Sequence, residues 1–193
     1  HHAALIVDVL GVGEFAVGAL PDVLPEGTPG PVRYLLDTFR EVSRKNFLEA
    51  WHDSLQLKEE GTTAFNLGVL DLKARAKLEQ LFWATCEKIL KIVRELPYVP
   101  DELEGLEKQL SDTYYCNFSL FQSMPDHWAV NQLFPAMPIE RLDQQPTRRA
   151  ILADLTCDSD GKIDKFIDLR DVKHFLPLHT LNGDTYHIAT FLV

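Results

Sequence analysis

The chain has 193 residues, 46% of them apolar and 25% charged. That composition fits one soluble globular domain, or one with an insertion, and excludes wholesale disorder, collagen and a disulfide-dense miniprotein. The net charge of −10 argues against duplex nucleic acid, which asks for a basic face, and no apolar run approaches the roughly 20 residues of a membrane span.

Ala3 to Leu10 is rich in aliphatic and β-branched residues and is followed by Gly11 and Gly13, which predicts a buried strand ending there. It has no basic leader and is interrupted by Asp8, so it does not read as a secretory signal. Cys86, Cys116 and Cys157 are accordingly expected to be reduced thiols in the cytoplasm. Pro21 to Pro31 is breaker-rich and reads as a loop. The period then becomes helical. Val32, Leu35, Leu36, Phe39 and Val42 share one face, with Pro31 suited to a first helical turn. A second helix is predicted from Phe47 to Glu60, stopped by Gly61. A third is capped by Asp71, carries the stripe Leu78, Leu81, Phe82, Cys86, Ile89, Leu90, Val93 and Leu96, and is stopped by Pro97. A fourth is predicted from Asp101, with Glu104 completing a capping box. About four helices make a small bundle.

Tyr114 to Ser119 is strand-like, with a buried loop as the alternative, and Met124 to Pro146 is proline-rich and mostly irregular, with room for one helical turn. Arg149 to Leu155 reads as a strand, Ile163 to Ile167 as a short one, and Thr185 to Val193 as a strong final strand. The predicted class is therefore α+β: a β domain, barrel-like or sandwich-like, interrupted by an inserted helical bundle. The expected divisions are 1–28 for the first part of the β domain, 29–112 for the bundle and 113–193 for the remainder. The abrupt ends suggest a piece of a longer chain.

The most pointed chemistry lies in the turn Thr156-Cys157-Asp158-Ser159-Asp160-Gly161. It places a thiol beside a carboxylate at a strand end, with a second carboxylate two residues on, against the plain alternative of a solvated turn. A calcium loop is a decoy here. With Gly161 at its sixth position, the first and twelfth fall on Thr156 and Ile167, and neither can ligate the ion as required. Gly11 and Gly13 lack the third glycine of a dinucleotide loop, because position 16 is Ala16. His174 and His179 flank Pro177 and suit no tidy metal motif, while His52, Cys116 and His127 have no partner at zinc spacing. Cys86 reads as core.

At this turn the chain resembles a family. Asp154-Leu155-Thr156-Cys157-Asp158-Ser159-Asp160-Gly161-Lys162-Ile163-Asp164 is similar to a signature of the biosynthetic arginine decarboxylases, pyridoxal-phosphate enzymes grouped with ornithine decarboxylase and alanine racemase. The likeness spans the chain and includes His1-His2-Ala3, Leu81-Phe82-Trp83, Tyr98-Val99-Pro100, Cys116 to Ser123, Gln132 to Pro135, Pro138-Ile139 and Pro146 to Arg149. It implies that these residues are a C-terminal portion. The (β/α)8 barrel with its Schiff-base lysine lies elsewhere, the terminal histidines are native, and the β domain continues past Val193. It implies Cys157 as the acid that protonates Cα after carbon dioxide leaves, and Asp158 as the carboxylate holding the substrate guanidinium. Asp160 is a further candidate for that site or for an interface ion pair. It implies arginine as substrate and agmatine as product, in polyamine biosynthesis, with pyridoxal phosphate as cofactor and magnesium as a further one. The partners it implies are the barrel domain and a second subunit, in a dimer with shared sites or a tetramer, with neither nucleic acid nor membrane. The isolated chain is then expected to be inactive. The alternatives are a non-catalytic scaffold or a decarboxylase for another basic amino acid.

Overall fold

The computed structural model describes residues 3–21, 23–157, 160–169 and 171–193. The chain divides into two compact units, His1–Phe15 with Glu107–Val193, and Ala16–Leu106. Strands at both ends thus enclose a helical segment, which is the α+β arrangement expected from the sequence, and the described elements contain no (β/α)8 barrel.

In the helical unit, α1 (Gly30–Glu41), α2 (Phe47–Asn66) and α3 (Leu72–Val93) pack on one another. The predicted stripes form the core: Val32, Leu35 and Leu36 of α1 are buried, as are Leu78, Leu81, Phe82, Cys86, Ile89, Leu90 and Val93 of α3. Asp71 caps α3 by accepting from the Ala74 N–H at 2.7 Å. Lys88 Nζ donates to Phe39 O (2.7 Å) and Arg40 O (3.0 Å), supplying partners for carbonyls that α1 leaves open at its end.

Three helix boundaries differ from expectation. α3 stops at Val93, one turn ahead of Pro97. The fourth helix is broken into a 3-10 turn, Asp101–Leu103, and a short α4, Leu106–Gln109, with Pro100 rather than Asp101 at the first cap and no side-chain bond there. Gly105, a poor helix former, lies between the two pieces. Finally, α2 passes through Gly61 instead of ending at it. The reason is packing. A Cβ at Gly61 would lie 2.2 Å from Leu78 Cδ2, so this glycine permits the close approach of α2 and α3. Gly61→Ala gains up to about 1 kcal/mol of helix propensity but forces the fully buried Leu78 out of place, at about 1–3 kcal/mol. The expected result is a net loss of stability on urea unfolding, relieved when Leu78→Ala is added. A stabilised Gly61→Ala single variant would contradict this packing.

The other unit is a curled, open seven-stranded sheet in the order β3 (Ala136–Pro138), β9 (His187–Phe191), β1 (Ala4–Gly13), β2 (Asp112–Cys116), β4 (Arg148–Ala153) and β5 (Lys162–Ile163), with β8 (Leu176–Leu178) also paired to β4. β1 runs through Gly11 and ends at Gly13, and a bulge between Val9 and Gly11 absorbs the irregularity. β1 is antiparallel to β2 (Asp112–Cys116) and to β9 (His187–Phe191), and β2 is parallel to β4 (Arg148–Ala153). The proline-rich stretch contains α5 (Pro125–Val130) and β3 (Ala136–Pro138), the latter added beside β9. The expected strand over 163–167 is two separate pairs of residues. β5 (Lys162–Ile163) joins β4, and β6 (Phe166–Ile167) forms a hairpin with β7 (Val172–Lys173). β8 (Leu176–Leu178) was not anticipated. Ala150 to Ala153 of β4 are all buried, as befits an apolar run flanked by other strands. The core gathers Val7, Tyr114, Cys116, Leu152, Phe166, Leu178, Tyr186 and Ile188.

Two polar clusters brace this sheet. His179 is buried. Its Nε2 donates to Gln144 O (3.1 Å), leaving Nδ1 to accept from the Tyr186 hydroxyl (2.7 Å), while Tyr114 donates to His179 O (2.8 Å). His187 on β9 lies between two carboxylates, with Nε2 2.8 Å from Asp8 Oδ1 and Nδ1 bonded to Glu140, whose other oxygen accepts from the His187 N–H at 2.8 Å. The Glu140 hydrogen bond raises His187 above its ordinary 6.5. Desolvation would raise Glu140, but the His187 backbone and ring bonds outweigh it and hold the acid below its ordinary 4.5. The stability contributed through His187 is therefore complete below pH 6.5 and is lost as pH rises through the higher folded value. That contributed through Glu140 is complete above 4.5 and is lost as pH falls through its lower folded value. His187→Gln should flatten the alkaline fall of the unfolding midpoint above pH 6.5. A variant with the unchanged alkaline slope would show that the cluster does not couple to folding.

Candidate active site

The thiol-bearing turn grows out of β4, whose last four residues are all buried. Its first residue, Asp154, is fully buried, and its last, Gly161, is also buried. The Asp154 N–H donates to Gly161 O at 2.8 Å, and β5 follows at once, so the two ends of the turn are held together. Between them Leu155 is 54% exposed and Cys157 is exposed. A polar, glycine-closed turn after an apolar strand returns the chain to the surface, where loops keep their polar groups in water, and Leu155 is carried out with it.

The three thiols differ sharply. Cys86 and Cys116 are fully buried, and burial pushes each thiol up to about 12. Neither is suited to proton transfer near neutral pH. Cys157 alone of the three is open to solvent.

Asp160 is exposed and lines an open groove of about 410 Å³ together with His127, Trp128, Leu133, Lys162 and Lys165. Asp164, also in the groove, pairs with Lys108. His127 donates from Nδ1 to Gln132 O at 2.9 Å. Cys157 is not among the residues lining this groove. Asp158 lies outside the described residues.

Sequence reasoning missed the residues that hold the turn. Asp154 accepts from the Thr156 hydroxyl (2.9 Å), the Leu120 N–H (3.2 Å) and the Gly161 N–H (3.3 Å). An acid completing the apolar run Ala150 to Ala153, with a glycine seven residues later, was the available signal.

None of the lysines is buried. Partial desolvation lowers Lys88 below its ordinary 10.5, but its Nζ is held by Phe39 O and Arg40 O, so the described residues offer no buried lysine for imine formation with pyridoxal phosphate. Among the described residues no group of three or more His, Cys, Asp or Glu side chains converges as metal ligands. No described helix is long and apolar enough to cross a membrane.

Comparison with known proteins gives these features their setting. The arginine decarboxylase helical bundle domain matches residues 25–107. The biosynthetic arginine decarboxylase of Nostoc sp. is 53% identical across all of this chain, which covers 28% of that protein. The biosynthetic arginine decarboxylase of Thermosynechococcus vestitus is 52% identical, again across the whole chain, with 30% of its own length covered. The crystal structure of the biosynthetic arginine decarboxylase from Campylobacter jejuni superposes with a TM-score of 0.74 at 34% identity, over 98% of this chain and 30% of that one. The chain thus spans 28–30% of the length of these relatives. Matched from end to end in sequence and in fold, the chain is similar to a C-terminal portion of the biosynthetic arginine decarboxylases.

Proposed function

We propose that this chain is the part of an arginine decarboxylase that lends the Cys157 turn to an active site completed by other parts of the enzyme. The reaction converts arginine to agmatine and carbon dioxide, in the cytoplasm and toward polyamines. The observation that carries the proposal is the contrast among the thiols. In a chain aligned along its whole length with arginine decarboxylases, one cysteine stands exposed on a clamped turn while the other two are sealed in the core.

The chemistry asks for such a group. The carbon that loses carbon dioxide must regain a proton from a positioned acid. A thiol with an ordinary value of about 8.5 is mostly protonated at neutral pH yet can release its proton. We assign that role to Cys157. Asp158 is assigned the guanidinium, whose planar donors a carboxylate accepts in pairs. Asp160 lines the neighbouring groove and is assigned either to the same cation or to an ion pair with the adjoining subunit. Pyridoxal phosphate, the cofactor we propose, supplies an electron sink when bound and is held by residues other than those described here. Sites shared across a homodimer complete the proposal.

The test is a competition assay. A full-length enzyme carrying this chain should release agmatine from arginine in the presence of equimolar ornithine and leave the ornithine untouched, and the purified 193-residue chain should release none. Preference for ornithine would overturn the substrate, and agmatine formed by the chain alone would overturn the lent turn.

A further inference from the structure

We propose that Asp154 is the positioning residue of the Cys157 turn: its one carboxylate clamps both ends of the turn and the adjoining loop, and so fixes where the thiol points. This inference rests on the proposed role of Cys157.

The geometry is specific. Asp154 Oδ2 receives the hydroxyl of Thr156, the residue immediately before the thiol, at 2.9 Å, and also the Leu120 N–H at 3.2 Å. Oδ1 receives the Gly161 N–H at 3.3 Å, while the Asp154 N–H reaches back to Gly161 O at 2.8 Å. The opening of the turn, its close and the 117–123 loop are therefore tied to one side chain. That loop is itself anchored, because Asn117 accepts from the Asp8 N–H at 2.8 Å and donates to Asp8 Oδ2 at 3.1 Å.

Burial makes the choice of residue informative. Asp154 is 0% exposed, and a buried carboxyl is costly unless its oxygens are bonded. An apolar side chain would fill this position more cheaply, but it could not hold three donors at once. The fit is also tight. A Cβ on Gly161 would lie 2.4 Å from Asp154 Oδ2 and 2.5 Å from its Cγ, so the glycine is required by the acid facing it. Asp154 and Gly161 act as one clasp, and Cys157 hangs between its ends.

The experiment uses the full-length decarboxylase carrying this chain, with Asp154→Asn, Gly161→Ala and the milder Thr156→Val, and Cys157→Ala in parallel. Two readouts are taken: kcat and KM for arginine per bound cofactor, and the rate at which iodoacetamide alkylates Cys157, followed by peptide mass spectrometry with buried Cys86 and Cys116 as silent references. Asp154→Asn and Gly161→Ala should lower kcat by about tenfold or more, the scale of a misplaced reacting group. KM should stay within about threefold, and Cys157 alkylation should quicken severalfold. Thr156→Val should give the same pattern, weaker. Wild-type kcat and alkylation rate in Asp154→Asn overturn the proposal. So does an activity loss matched by lost cofactor or a lowered unfolding temperature while alkylation is unchanged, since that is a merely structural role. If Cys157→Ala keeps wild-type kcat, it is the thiol's catalytic role that fails, and the alkylation rates alone then decide the clasp.

Discussion

Replacing Cys157 by alanine in the full-length enzyme is expected to lower turnover by about 10²–10⁴, the usual contribution of a positioned acid. KM for arginine should change little, because the thiol is assigned no part in gripping the substrate. Asp158→Ala should show the opposite emphasis, with KM rising as the guanidinium loses its paired acceptor. Steady-state measurement of released carbon dioxide across a range of arginine concentrations separates the two. Cys157 is exposed, and Asp160 lines a neighbouring groove. Near-normal kcat in Cys157→Ala would remove the thiol from the reaction.

The largest effect on stability is expected from Arg148→Met. Asp112, the first residue of β2, has a side chain only 4% exposed. It accepts from Arg148 Nε at 2.6 Å and Nη2 at 2.8 Å, and from the Phe15 N–H at 2.7 Å. The pair joins the starts of the parallel strands β2 and β4 to the chain leaving β1. Removing the guanidinium leaves a buried carboxylate without its cation, a change that costs about 3–5 kcal/mol. Adding Asp112→Asn should recover part of that loss, because the stranded charge goes with it. Urea unfolding of the chain checks both. A loss below about 1 kcal/mol would place the pair among exposed ion pairs that contribute little.

Much of the fold was legible because the chain's local patterns agree with its packing. The 3.6-residue stripe of α3, its Asp71 cap and the apolar strands at either end each point to the same arrangement. The failures have physical causes. Gly61 reads as a stop because sequence shows its missing side chain but not Leu78 pressed against it. β7 and β8 have two and three residues, too few for any period to register. The turn stands out in the sequence because a thiol beside a carboxylate is chemically conspicuous. Its clasp does not, since Asp154 looks like one more acid until Leu120, distant in sequence, is seen donating to it.

The most direct test of the whole account is the distance from Cys157 Sγ to the substrate α-carbon in a structure of the full-length enzyme holding an unreactive arginine analogue. The expected result is a separation of about 3–3.5 Å, within reach of direct proton transfer, with the Asp154 clasp closed beneath the thiol. A turn lying on an outer surface, far from the analogue in every subunit, would contradict it.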